Sequence, residues 1–332
     1  MVHLLLLSVL LTTTAWAIPE TAYERVWNTA VLGHFETFEQ KEFKNAQGMM
    51  IRYHMHLAPR AVKTLVILPG RTEPGLKYAE LAYDLQSPDL NVFILNHQGQ
   101  GGSERLLRDT DKGHVLHHRD YVNDFTQFMD EVVLPLTKDT AHYLLAHSMG
   151  GSIAIPYLHA HHGVFKRAVL SAPMLQMNTD PYQEAVALLL SQALFLAGKG
   201  TDYAPDRGPY RPETDVFETN IVTHSKVRFE TNKSLFLNDP SLIVGGPTVR
   251  WVLENLKASR RLVSMARSIQ TPLLILQAGQ DKLVVNPRQN KFCSKAPQCS
   301  LMLLQQAHHE ILAEQDAIRD PAMARVKSFL GF

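Results

Sequence analysis

Ser148 lies in Ala146-His147-Ser148-Met149-Gly150, a small-x-Ser-x-Gly pentapeptide. Small residues two before and two after a serine let the chain turn sharply from a strand into a helix and lift the hydroxyl out of the turn. The pentapeptide alone is a weak signal, but its surroundings are the ones it needs. A short β-type run, His142 to Leu145, precedes it, and a helical pattern, Ser152 to Ala160, follows. Ala146 stands where glycine is commoner, and one methyl is tolerated. A serine so placed becomes a nucleophile for acyl transfer once a base takes its proton and a carboxylate orients that base.

On a strand–turn–helix scaffold of this kind the acid and the base follow the serine in chain order, each past the end of a later strand. Asp281 comes just after the run Leu273 to Gln277, and His308 and His309 just after Leu301 to Gln305. Asp239, Glu310 and Asp316 do not follow a strand end. Position alone does not separate His308 from His309. An acyl-transfer site also needs two backbone N–H donors aimed at the developing oxyanion. Met149, directly after the nucleophile, supplies one. Arg71 supplies the other, in the turn after Val62 to Leu68, where Gly70 lets the chain pass close to a substrate. The Arg71 guanidinium could also meet a phosphate. Gly70, His147 and Leu189 are the candidate substrate contacts.

The elements that must position these groups are legible as alternation. Val62 to Leu68, Asn91 to Leu95, His142 to Leu145, Ala168 to Ser171, Leu273 to Gln277 and Leu301 to Leu304 have the pattern of strands. Helical patterns at Tyr78 to Leu85, Tyr121 to Leu136 and Pro321 to Leu330 separate or follow them. Strands alternating with helices predict an α/β fold with a mainly parallel central sheet flanked by helices. Gly48 to Leu57 predicts an antiparallel lead-in. Between Ala172-Pro173 and Thr271-Pro272 the alternation stops for about a hundred residues, too long for a loop, which predicts a mostly helical cap inserted between two sheet strands. Its first helix, Ala185 to Ala197, is apolar all round, which predicts burial between cap and core, with Leu189 on the wall of an acyl-chain pocket. No internal repeat or low-complexity tract interrupts the pattern.

Net charge is +1 over 332 residues with no Lys/Arg stripe, which argues against nucleic acid as a partner; no obligate protein partner is evident. The sixteen histidines include clusters at His54/His56, His114/His117/His118 and His159/His161/His162. None has the spacing of His-Glu-x-x-His or of a Cys/His zinc set, so no metal and no other cofactor is expected. Leu4 to Leu11 is apolar and Ala15-Trp16-Ala17 is a small-x-small site, although the segment before them carries no Lys or Arg. That layout predicts a signal peptide cleaved after Ala17 and an exported protein, periplasmic or secreted, with membrane association as the alternative. Cys293 and Cys299, the only cysteines, would suit a short disulfide in an oxidising compartment.

The chain resembles the lysophospholipase and monoglyceride lipase group of α/β-hydrolases, the lysophospholipases in particular. The likeness rests on Gly70-Arg71-x-Glu73 with Lys77-Tyr78-x-Glu80-Leu81-Ala82-Tyr83-Asp84-Leu85, on His97-x-Gly99-Gln100-Gly101-x-Ser103 and on Ala146 to Gly151. In the cap it adds Thr223-His224-Ser225 and Gly245-Gly246-Pro247-Thr248 with Trp251-Val252, and near the end Ala307-His308-His309-Glu310-Ile311-Leu312. In the family the catalytic histidine directly precedes Glu-(Ile/Leu)-Leu, which selects His309. The patterns along the chain divide it into 1–17 as signal peptide, 18–173 and 269–332 as the two parts of a hydrolase core, and 174–268 as the cap. The resemblance implies a lysophospholipid as substrate, cleaved through Ser148, His309 and Asp281, with transient contact to a membrane surface; monoacylglycerol or a simpler ester is the alternative. Two departures stand out. The signal peptide is one, since members of the family are often described as cytoplasmic or membrane-associated; the other is at a strand end. The family's Asp-His-Arg-Gly is Asn96-His97-Gln98-Gly99 here, so a potential ion pair has become two neutral amides, expected to replace it by hydrogen bonds.

Overall fold

A computed structural model describes residues 17–332. The expected signal peptide falls outside them except for its last residue. Eight strands form one sheet: β1 (Glu39–Lys44), β2 (Met50–His56), β3 (Lys63–Leu68), β4 (Leu90–Leu95), β5 (Ala141–His147), β6 (Phe165–Ser171), β7 (Leu273–Ala278) and β8 (Cys299–Leu304). Their spatial order is β1-β2-β4-β3-β5-β6-β7-β8. β2 runs antiparallel to both β1 and β4, and every later pairing is parallel.

The sequence explains these differences. β4 is buried at every position, as befits a central strand covered on both faces. In β2 the residues Ile51, Tyr53 and Met55 are buried while the alternate positions are less so, the pattern of a half-covered strand. β1, at the edge, alternates charge along Glu39-Gln40-Lys41-Glu42 and is almost wholly exposed; those charges discourage pairing with another chain. β1 and an N-terminal helical segment over residues 20–35 are elements that periodicity alone did not reveal.

Helices cover both faces. On one, His118–Phe128, Met149–Ala160, Val249–Met265 and Asn286–Cys293 bring Phe125, Ile153, Trp251 and Phe292 onto Val66, Leu68, Leu144 and Ala146. On the other, the N-terminal segment, Ala79–Leu85 and Asp316–Leu330 bring Trp27, Leu81 and Met323 onto Leu65, Ile67, Leu145 and Leu276. Alternate residues of β3 and β5 thus feed opposite cores. β3 has β4 on one side and β5 on the other. That reversal of winding opens a crevice beyond the carboxyl ends of β3 and β5, the place where open α/β sheets bind ligands.

Arg228, in the helix Lys226–Asn238 of the inserted segment, clasps that segment to the core. It is 1% exposed and donates Nε and Nη2 to the Glu80 carboxylate, Nη1 to Asp316 Oδ1 and the Glu314 carbonyl, and Nη2 to the Ile18 carbonyl. The helix Glu184–Leu194 differs from expectation. Instead of being buried, Val186, Leu189 and Leu196 are 47%, 70% and 75% exposed. It packs one side on Val249–Met265 and leaves the rest of an apolar surface open, so Leu189 faces solvent rather than a pocket wall. All-round apolarity marks a surface that avoids water without saying what replaces the water.

Cys293 ends the helix Asn286–Cys293, Cys299 begins β8, and the two are joined in a disulfide. A loop this short constrains the unfolded chain by about 2 kcal/mol. Cys293→Ser/Cys299→Ser should therefore lose about that much stability in urea unfolding, and the same loss should appear in the native chain under reductant.

Candidate active site

β5 runs straight into Ser148, whose backbone has φ 49° and ψ −114°. A non-glycine residue there is strained, and the surroundings hold it in place. Ser148 N–H donates to Ser171 O (3.0 Å), and Ser148 O accepts from Gly151 and Met174 (2.9 Å each). The small residues are needed for space: a Cβ on Gly151 would come within 2.6 Å of Pro173, and one on Gly150 would collide with the carbonyls of Leu68 and Pro69. Met149 opens the helix Met149–Ala160, so its N–H has no carbonyl one turn back and is left for an anion.

Ser148 Oγ lies 2.8 Å from His309 Nε2, and His309 Nδ1 lies 2.7 Å from Asp281 Oδ2. The consistent protonation has Nδ1–H donating to Asp281 and the serine O–H donating to Nε2. Asp281 Oδ1 accepts the N–H groups of Leu283 (2.8 Å) and Val284 (3.0 Å). Burial alone would raise this carboxyl; the hydrogen bond and charge of His309, with the two N–H donors, outweigh it and hold Asp281 below the usual carboxylate range. His308 turns away: its N–H donates to Glu314 (2.8 Å) and its ring stacks on His224. Position in the chain left the two histidines equivalent, and the loop geometry separates them.

The turn after β3 is built by three donors. His97 Nε2 donates to Pro69 O (3.0 Å), Gln100 Nε2 donates to Gly70 O (2.6 Å), and Thr72 N–H donates to Gln100 Oε1 (3.2 Å). Gly70 N–H is taken by Glu73, whereas Arg71 N–H has no acceptor among the described residues. Arg71 and Met149 therefore leave the two free N–H groups of the crevice. The Arg71 guanidinium does not reach into it: it bonds the Gly245 carbonyl, lies over the Trp251 ring at 5.2 Å and is pushed down to about 10 by burial.

Glu73 is the hub beneath. Its carboxylate accepts from Gly70 N–H, Tyr78 Oη (2.6 Å), Lys77 Nζ (2.8 Å) and His147 Nδ1 (3.0 Å), and Lys77 also reaches Glu310 (2.6 Å). His147, offered by the sequence as a substrate contact, has both ring nitrogens engaged, Nε2 with the His309 carbonyl at 3.3 Å. Gly70, another such candidate, makes room for it, since a Cβ there would sit 2.9 Å from His147 Nδ1. Burial alone would lower His147, but the charge of Glu73 and its hydrogen bond raise it above its ordinary value. Burial would likewise raise Glu73, and the charges of His147 and Lys77 keep it well below. Glu73 and Lys77 belonged to a segment singled out by resemblance; their roles had no local signal because their partners lie on other elements.

Asn96 and Gln98 do not bond each other. Asn96 Oδ1 accepts Gly75 N–H (2.8 Å), and Gln98 Nε2 donates to Asp124 (2.7 Å), whose other oxygen accepts from Asn45 (2.8 Å). With only neutral amide partners, burial pushes Asp124 up to about 6. The carboxyl is thus protonated more readily in the folded chain, and stability falls as pH rises from its ordinary range through that value.

A mainly parallel sheet in which the ends of β5, β7 and β8 deliver a strained serine, an aspartate and a histidine in hydrogen-bonded series defines an α/β-hydrolase. Residues 59–316 match the family model described as serine aminopeptidase, S33, and the chain belongs to that family. It is 33% identical to lysophospholipase L2 of Escherichia coli (strain K12) over 321 residues, covering 95% of this chain and 94% of that one. Human monoglyceride lipase is 26% identical over 72% of each chain. Among solved structures, a soluble variant of yeast monoglyceride lipase superposes with a TM-score of 0.71 at 16% identity, over 89% of this chain and 95% of that one. A thermostable carboxyl esterase from Bacillus coagulans gives 0.69 at 16% identity, over 89% and 98%. With these relatives, the chain is a carboxylic-ester hydrolase.

Glu73→Gln should leave the buried His147 ring without its anion and Lys77 with Glu310 alone, and destabilise the fold by about 3–5 kcal/mol, measured by denaturant unfolding. Gln98→Arg should give Asp124 a counter-charge and raise the melting temperature, with a larger gain at pH 8 than at pH 5.

Proposed function

We propose that the protein is a lysophospholipase in which Ser148, His309 and Asp281 act as a catalytic triad. The observation that carries this is the unbroken series Ser148 Oγ–His309 Nε2 (2.8 Å) and His309 Nδ1–Asp281 (2.7 Å) beside two free backbone N–H groups. Ser148 Oγ attacks the acyl carbonyl and its proton passes to His309 Nε2. Asp281 holds the resulting imidazolium in place, while the N–H groups of Met149 and Arg71 receive the oxyanion. Collapse expels the glycerol oxygen, which takes the proton from His309, and leaves an acyl-serine. Water then gives its proton to His309 as it attacks, and the second collapse releases the fatty acid and returns the proton to Ser148.

The choice of lysophospholipid is supported by the similarity to lysophospholipase L2 and by a cavity of about 190 Å³ between core and inserted segment. Thr72 and Glu310, next to Arg71 and His309, border it; Phe229 and Phe236 supply apolar wall and Asn232 and Lys233 polar wall. The Lys233 ammonium has a neutral partner, the Asp215 carbonyl at 2.6 Å, and so keeps a charge to offer a phosphodiester. Segment 174–268 is the cap, and the exposed apolar side of Glu184–Leu194 meets the lipid surface during catalysis. Export is supported by the small-x-small site at Ala15 to Ala17 and by the disulfide.

Fatty-acid release from lysophosphatidylcholine should vanish in Ser148→Ala, measured beside an equal concentration of monoacylglycerol. Lys233→Ala should lower kcat/KM for the phospholipid by about tenfold or more relative to monoacylglycerol, since a hydrogen bond to a charged group is worth about 1.5–3 kcal/mol. Serine-dependent release from monoacylglycerol alone would keep the mechanism and move the substrate.

A further inference from the structure

Immediately beside the catalytic-histidine loop, three potential metal ligands from two parts of the chain converge. His224 belongs to the inserted segment, and His308 and Glu314 belong to the loop after β8. One ligand atom from each lies within 4.8 Å of the other two. The two imidazoles stack with centroids 3.8 Å apart, and His224 Nδ1 is 2.9 Å from Glu314 Oε1. The spacings that mark zinc sites in sequence are absent here because the ligands are distant in the chain.

Two features of the group fit a cation. The Glu314 side chain is 0% exposed, yet among the described residues no lysine or arginine side chain pairs with it; its partners are His224 and the N–H groups of His224 (2.9 Å), His308 (2.8 Å) and Gln315 (3.1 Å). Those N–H groups hold the carboxylate in one orientation, as outer-shell donors do for ligating carboxylates. The second feature is His308 Nδ1, a buried atom with no hydrogen-bond partner. A buried carboxylate lacking a cationic side chain and a buried imidazole nitrogen lacking a donor satisfy each other's deficit if a divalent cation lies between them.

We propose that His224, His308 and Glu314 form a binding site for a divalent transition metal of the zinc class. Two imidazole nitrogens and one carboxylate oxygen are a ligand set that zinc accepts, with a fourth position left to water. Ligand atoms around a tetrahedral zinc lie about 3.3 Å apart, so the His224–Glu314 contact at 2.9 Å widens slightly and the other spacings, all within 4.8 Å, close toward that value. His224 Nδ1 gives up its hydrogen bond to Glu314 and becomes a ligand in its place. The consequence is a latch: the metal ties the inserted segment to the loop whose next residue, after His308, is His309, so occupancy restrains the movement of that segment over the serine.

Isothermal titration of the metal-stripped mature chain with zinc chloride tests this, beside thermal unfolding with and without zinc. The expected result is one zinc bound per chain and a rise in melting temperature, both lost in His224→Ala and in His308→Ala and kept in His161→Ala/His162→Ala. Circular dichroism confirms that each variant is folded, and His224→Gln replaces His224→Ala if that chain is not. A wild-type chain that binds no zinc, or stoichiometry that survives both single changes, overturns the site. Zinc bound with no change in hydrolysis of a short-chain ester overturns the latch.

Discussion

Glu73 draws hydrogen bonds from the turn after β3, from Lys77 and Tyr78 on the following helical turn, and from His147 at the end of β5. Lys77 carries the series on to Glu310, beside His309. One buried carboxylate thus sets the positions of the turn after β3, the residue before Ser148 and the loop that carries His309. Removing two opposite charges from water is costly, and a pair of this kind adds little net stability. Its effect is positional. If Glu73 is lost, His147 is left without an anion and Lys77 with Glu310 alone.

Strain at Ser148 is tolerable for the same reason. A positive φ at serine persists only where the surroundings over-determine it. The N–H and C=O of Ser148 are fixed by Ser171, Gly151 and Met174, and Gly150 and Gly151 let the following helix approach Leu68, Pro69 and Pro173 closely. The order of strands does the rest. Because β3 and β5 are neighbours, the free N–H of Arg71 and the hydroxyl of Ser148 face one crevice, although more than seventy residues separate them in the chain.

The inserted segment is attached by apolar packing of Val249–Met265 on the core and by one buried cation. Arg228 satisfies Glu80, Asp316 and the carbonyls of Ile18 and Glu314 at once, joining the start of the described chain, the helix Ala79–Leu85 and the last helix around one guanidinium. A planar, five-donor group is suited to such a junction where an ammonium is not. The apolar side of Glu184–Leu194 is left outward by this attachment.

Local pattern determined a good deal. Runs of β-branched and apolar residues between turns located the strands of the parallel sheet, and the small residues around Ser148 marked the strand-to-helix turn, because both signals arise from neighbours in the chain. Asp281 and the His308-His309 pair followed from their places after later strands. Which histidine meets Ser148 was separable by resemblance but not by position, since adjacent residues share a strand end and only the loop's path divides them. The meeting of Glu73 with His147, the partners of Gln98, Arg71 and Arg228, the outward face of Glu184–Leu194 and the meeting of His224 with His308 and Glu314 were decided by tertiary structure alone. Each depends on which distant segments the sheet order brings together, and hydrogen bonds and burial between distant segments leave no periodic trace in a single chain.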